Sequence, residues 1–140
     1  MVANASGHRS VPHTADLRIE AWAPTRDDCI RQAVLGTVES FLDTSGVRPR
    51  CTRLRRLTAT SDDDLLVAVL DEVIYLLDTE GEAPVDLELQ SVDGAVEARF
   101  AMANAGALPQ VGAMPKAVSF NDLSLTRGPR GWRCSVTLDV

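Results

Sequence analysis

The chain has 140 residues and a mass of 15.1 kDa, one ordinary domain, which excludes a multidomain enzyme. Hydrophobic residues make up 45% and charged residues 24%, with a mean hydropathy of -0.02, so there is material for a core and too much of it for wholesale disorder. A formal charge of -6 and a pI near 4.8 exclude a protein whose whole surface grips nucleic acid or an anionic membrane, and leave only local patches for such contacts.

Leu17, Ile19 and Ala21 alternate with Arg18, Glu20 and Trp22, the period of a half-buried strand that ends at Pro24. Thr25, Arg26, Asp27 and Asp28 open a helix over about 26–42, with Ile30, Ala33, Val34, Thr37, Val38 and Phe41 on one face; Thr44, Ser45, Gly46 and Pro49 end it. Residues 51–60 carry leucines and β-branched side chains in imperfect alternation, a strand with room for a bulge. Ser61 followed by Asp62, Asp63 and Asp64 caps a second helix, and Leu65, Leu66, Val69, Leu70, Val73, Ile74 and Leu77 give it a wide apolar face.

Val85, Leu87 and Leu89 alternate with acids and Gln90; Asp93-Gly94 is a two-residue hairpin turn into Val96, Ala98, Phe100 and Met102. Residues 104–115 lack periodicity and read as a mobile loop. Residues 117–126 and 132–140 form the last two strands. The expected fold is α+β: a mostly antiparallel sheet of about six strands with two amphipathic helices on one face, in a single domain over 12–140 after a flexible segment 1–11.

Cys29, Cys51 and Cys134 are odd in number and widely spaced, with no zinc-finger register, and read as buried thiols in a reducing compartment. The polar N-terminus has no apolar signal core and no run of eighteen apolar residues occurs, so the expected location is the cytoplasm, away from membranes. Among fourteen basic residues only one is lysine, Lys116, an Arg bias of the kind a GC-rich genome produces.

No phosphate-binding glycine loop, dinucleotide fingerprint, metalloprotease helix or nucleophile elbow is present, and only His8 and His13 could act as imidazole bases, so no catalytic residue is assigned. Three places stand out. His13-Thr14-Ala15-Asp16 puts a carboxylate at the mouth of a strand, or simply caps a turn. At the other end of the chain, Asp139 and the main-chain carboxylate of Val140 offer paired hard oxygens, which suit Ca²⁺, Mg²⁺ or Mn²⁺, or form a solvated terminus. Lys116 stands at a loop-to-strand junction, where an ammonium could hold a phosphate or carboxylate or lie in solvent. Arg48, Arg50, Arg53, Arg55 and Arg56 form a basic run without interleaved aromatics, better suited to salt bridges than to stacking on bases.

Together, HTAD near the N-terminus, DDLL and DEVIYLLD in the second helix, KAVSF about two dozen residues from the end and a terminal LDV resemble the archease family, in the family's order and spacing over residues 12–140. The resemblance implies a small α+β protein that activates an RtcB-type RNA ligase in tRNA splicing or RNA repair, promoting guanylylation of the ligase and its return to that state between turnovers. It implies a divalent cation, Ca²⁺ in crystals with Mg²⁺ or Mn²⁺ as functional alternatives, held by Asp16, Asp139 and Val140. It also implies partner or nucleotide contacts from His13, Lys116 and Ser119. The partner is the ligase, and stable direct nucleic-acid binding is not expected.

Ser119 replaces the family's usual threonine, Phe120 lacks the phenol of the usual tyrosine, and Asn121 stands where a histidine is common. The loop before Lys116 lacks the family's frequent His-Lys pair. Two other readings use the same residues: a free-standing metal-dependent phosphohydrolase or nucleotidyl-transfer enzyme, which would need a general base and a phosphate loop, and a small RNA-binding module on the arginine run.

Overall fold

The computed structural model describes residues 5–13 and 16–140, apart from the side chains of Pro12 and His13. Seven strands and two helices follow in the order β1 (Gly7–His13), β2 (Asp16–Ala23), α1 (Arg26–Glu39), β3 (Cys51–Leu57), α2 (Asp62–Glu80), β4 (Glu82–Val92), β5 (Ala95–Asn104), β6 (Ala117–Gly128) and β7 (Gly131–Asp139). The strands form two antiparallel sheets, one ordered β1-β2-β7-β6 and one ordered β3-β5-β4.

The α+β class and the antiparallel pairing agree with the expectation; the count and layering differ. Seven strands in two sheets replace a single sheet of about six, and each helix packs against strands of both sheets instead of covering one face. The additional strand is β1, so residues 7–11 of the segment expected to be flexible pair with β2. Its sequence, GHRSVPH, hides the strand: it lacks apolar alternation and carries Pro12, which is tolerated because β1 is an edge. His8 fastens β1 to α1, with Nδ1 2.8 Å from Gln32 Oε1 and Nε2 3.0 Å from Glu39 Oε1. Gly36 leaves the room for that imidazole, since a Cβ there would stand 3.0 Å from its ring carbons.

The helices begin where their caps place them. The Thr25 hydroxyl accepts from Asp28 N–H and the Ser61 hydroxyl from Asp64 N–H, each at 3.1 Å, satisfying orphan donors at the positive end of each helix dipole. Gly81 ends α2 in the left-handed region at φ 64. The Asp93-Gly94 turn has φ of 45 and 76, the sign pattern of a tight hairpin turn between β4 and β5.

Apolar faces of the two helices meet the inward residues of both sheets. Ile19, Val34, Phe41, Leu66, Leu70, Phe100, Val136 and Leu138 are fully buried in one continuous core. The loop 104–115, expected to be mobile, is pinned: Asp43 N–H donates to Pro109 O and Val111 N–H to Phe41 O, both at 2.9 Å, and Ala105–Ala107 makes a 3-10 turn. Among the described residues no helix is long and apolar enough to cross a membrane.

Candidate functional site

Alternation along β2 buries Ile19, Ala21 and Ala23, and alternation along β7 buries Cys134, Val136 and Leu138. The intervening residues, Asp16, Arg18, Glu20 and Trp22 on β2 and Arg133, Ser135, Thr137 and Asp139 on β7, therefore leave the sheet on its outer face. Antiparallel register sets them in rows: Asp16 opposite Asp139, Arg18 opposite Thr137, Glu20 opposite Ser135 and Trp22 opposite Arg133.

The first row is electrostatically unusual. Two carboxylates directly opposite on one face have Cβ atoms about 4.5–5.5 Å apart, and like charges so placed repel. Neither Asp16 nor Asp139 has an ion-pair partner among the described residues. In the next row, Arg18 reaches away from them: its Nη2 lies 3.6 Å from Glu20 Oε2, and its buried Nε has no hydrogen-bond partner among the described residues.

β6 completes this end of the sheet. Ala117 pairs with Asp139, and Lys116 N–H donates to Asp139 O at 2.7 Å, so the same register sets Lys116 beside Val140. His13 stands in register opposite Asp16; its side chain, like Thr14 and Ala15 of the HTAD motif, lies outside the described residues. Asp16, Asp139, Val140, Lys116 and the His13 backbone thus meet at one sheet end, although they come from opposite ends of the sequence. Among the described residues no three His, Cys, Asp or Glu side chains converge as a closed metal cage. What the row supplies is an open pair of hard carboxylates with the Val140 main chain adjacent.

The Lys116 side chain belongs to the other side of the sheet. It lines an open groove of about 490 Å³ with Asp71, Ile74, Tyr75 and Asp78 of α2 and with Met114. Partial desolvation raises the Asp71 carboxyl from its ordinary value, although the residue stays exposed. Ser119 keeps to the outer face opposite Thr137, and its hydroxyl accepts from Asn121 N–H at 3.2 Å. Beyond it the β6–β7 register breaks until Ser124 meets Ser135; residues 120–123 bulge out, with Phe120 69% exposed and Asp122 at φ 57. The Asp63 carboxylate at the start of α2 accepts from Leu125 N–H at 2.8 Å and steadies β6 just past the bulge.

Two of the five arginines in the run, Arg53 and Arg55, are ion-paired within the fold. Arg53 binds Glu82 through two nitrogens at 2.9 and 3.1 Å, and Arg55 Nε lies 2.8 Å from Glu72 Oε1. The Arg53 bonds hold the Glu82 carboxyl below the usual range. All three thiols are free. Cys29 and Cys134 are buried side by side, and the hydrogen bond with Cys29 together with burial drives the Cys134 thiol far upward; Cys51 is only half-buried.

Residues 8–140 match the Archease protein family. The chain belongs to that family. Over 136 residues it is 72% identical to a Mycobacterium tuberculosis protein described as "Probable protein archease", in two strains, covering 97% of this chain and 76% of the relative. Its fold is similar to the solution structure of Methanobacterium thermoautotrophicum protein 1598 (TM-score 0.76, 21% identity, 96% of this chain and 99% of that one). It is also similar to the crystal structure of an archease, described as a possible chaperone, from Thermotoga maritima (TM-score 0.66, 15% identity, 93% and 94%). The HTAD and LDV segments contribute Asp16 and Asp139 to the facing row.

Sequence reasoning missed Arg18 and the bulge. Arg18 has no motif around it and reads as one more solvated position of an alternating strand. The bulge leaves only a weak trace, an interruption of alternation between Ser119 and Ser124.

Proposed function

We propose that this archease is a metal-binding, non-enzymatic activator of an RtcB-type RNA ligase in tRNA splicing or RNA repair. The observation that carries the reading is the Asp16–Asp139 row: two carboxylates directly opposite, without an ion-pair partner among the described residues, at a sheet end of a chain that belongs to the archease family. The description of the Thermotoga relative as a possible chaperone points the same way, toward action on another protein.

The donor set fits a hard divalent cation such as Ca²⁺, Mg²⁺ or Mn²⁺, which prefers carboxylate and main-chain oxygens. Asp16 and Asp139 would hold it, with a main-chain oxygen of Val140 as a further donor. A bound cation would supply charge neutralisation at an exposed point of the surface. The chain's own part is positional. Antiparallel pairing fixes the separation of the two carboxylates, and the bond from Lys116 N–H fixes the Asp139 main chain. A cation held there would lie at the end of the sheet, where a partner protein would meet it. Ser119, with its hydroxyl engaged by Asn121, would meet the ligase beside the carboxylate row, and Lys116 would meet it across the sheet, from the α2 groove. With two donor side chains and no general base assigned, the site arranges a partner's charge rather than carrying a reaction itself.

Mixing the protein with an RtcB-type ligase and GTP tests the reading. Faster ligase guanylylation at substoichiometric protein is expected. Turnover of nucleotide or RNA without ligase, or tight salt-sensitive RNA binding with no effect on guanylylation, would contradict it.

A further inference from the structure

The opposite end of the same outer face carries different chemistry. Six residues beyond Asp16, about 20 Å along the strand, Trp22 lies across Gly7 of β1. A Cβ on Gly7 would stand 2.5 Å from the indole, so only glycine lets the ring rest flat on the neighbouring strand. On its other flank Trp22 pairs in register with Arg133, and Arg133 with Thr126. The next row is Arg9, Glu20, Ser135 and Ser124. These side chains border an open cavity of about 450 Å³, the size of a small-ligand cleft.

The charge of this region runs against that of the whole chain. Glu20 is the one acid bordering the cavity, and two guanidiniums share it: Arg9 Nε at 2.5 Å and Arg18 Nη2 at 3.6 Å. Arg133 is exposed, with no ion pair among the described residues, and Arg18 retains its buried, unpartnered Nε. Two arginines, Arg9 and Arg133, line the cavity against the one carboxylate of Glu20, with Arg18 drawing on the same carboxylate from beside it, an excess of positive charge in a protein of net charge -6, next to three hydroxyls and one flat aromatic. Fork-shaped donors and hydroxyls suit phosphate oxygens, and an indole held flat suits the face of a base.

We infer that this cleft binds a nucleoside phosphate, with the base on Trp22 and the phosphate held by Arg133 with the hydroxyls of Ser124, Thr126 and Ser135. The inference stands apart from the metal site and does not require the ligase reading. A free mononucleotide and the terminal nucleotide of a single strand present the same chemistry, and size distinguishes them: a strand would continue past Arg18 toward the carboxylate end.

Tryptophan fluorescence reads the contact directly, because the chain has two tryptophans and Trp132→Phe leaves Trp22 as the sole reporter. Guanosine monophosphate and a short 5′-phosphorylated single-stranded oligonucleotide are titrated in parallel at low salt. Saturable quenching by either one is expected, weakened about tenfold or more in Arg133→Ala, whose exposed side chain can be removed without disturbing the core. Quenching by the mononucleotide supports the free-nucleotide source; quenching by the oligonucleotide alone supports the strand end. No saturable quenching by either, or an affinity unchanged in Arg133→Ala, overturns the inference.

Discussion

The two ends of the four-stranded sheet's outer face share strands, register and solvent exposure, yet they solve opposite electrostatic problems. At one end Asp16 faces Asp139 with no cation in reach among the described residues; at the other, Arg9 and Arg18 divide a single Glu20 while Arg133 stands alone. A net charge of -6 describes neither end. The lesson is that strand register, which brings side chains together regardless of their separation in sequence, decides where charge becomes chemistry.

The contrast can be broken at either end. The largest effect is expected at the carboxylate row: Asp139→Ala should lower Ca²⁺ or Mn²⁺ affinity by about a hundredfold or more, whereas Arg133→Ala leaves it unchanged, both read by calorimetry. Equal loss in the two variants would dissolve the distinction between the ends. Next in size, Gly7→Ala should drive a Cβ into the Trp22 ring, shift its emission and cost about 1–3 kcal/mol in urea unfolding. An unchanged emission maximum would mean that the indole does not lie against β1.

A smaller effect has a diagnostic sign. In chelator, Asp139→Asn removes a like-charge cross-strand pair and should stabilise the fold by about 0.2–1 kcal/mol, while in saturating Ca²⁺ the wild type should become the more stable of the two. The same sign under both conditions would argue against cation binding by this row.

The smallest change is expected away from this face, at Glu82. Arg53 lowers its carboxyl, so its contribution is fully present above the ordinary glutamate range, near about 4.3, and is lost as pH falls through the lowered value. Glu82→Gln should flatten the acid side of the stability profile, below the ordinary glutamate range, without touching cation or nucleotide binding. An unaltered acid slope would remove the Arg53 pair from that account.

Much of this architecture was legible in the chain. Ser61 and the three aspartates after it announced α2, Asp93-Gly94 announced its hairpin, and alternation from Leu17 to Trp22 announced β2. β1 escaped because an edge strand facing solvent and a helix needs neither apolar alternation nor freedom from proline. The splitting into two sheets escaped because alternation reports which face of a strand is buried, not which strand lies beside it. At the candidate site, Asp16 and Asp139 could be named from their motifs, but their direct opposition depends on β2 pairing with β7 across most of the chain. The helix-side position of Lys116 and the bulge at Phe120 were likewise out of reach, since each depends on where β6 slips against β7.

The proposed role of the carboxylate row is to enable activation of a ligase. Its most direct test is multiple-turnover guanylylation of an RtcB-type ligase with GTP, comparing wild type with Asp139→Ala at substoichiometric protein, after circular dichroism shows that both are folded. Strong stimulation by the wild type and none above background by Asp139→Ala is the expected result. Equal stimulation by the two proteins would contradict it.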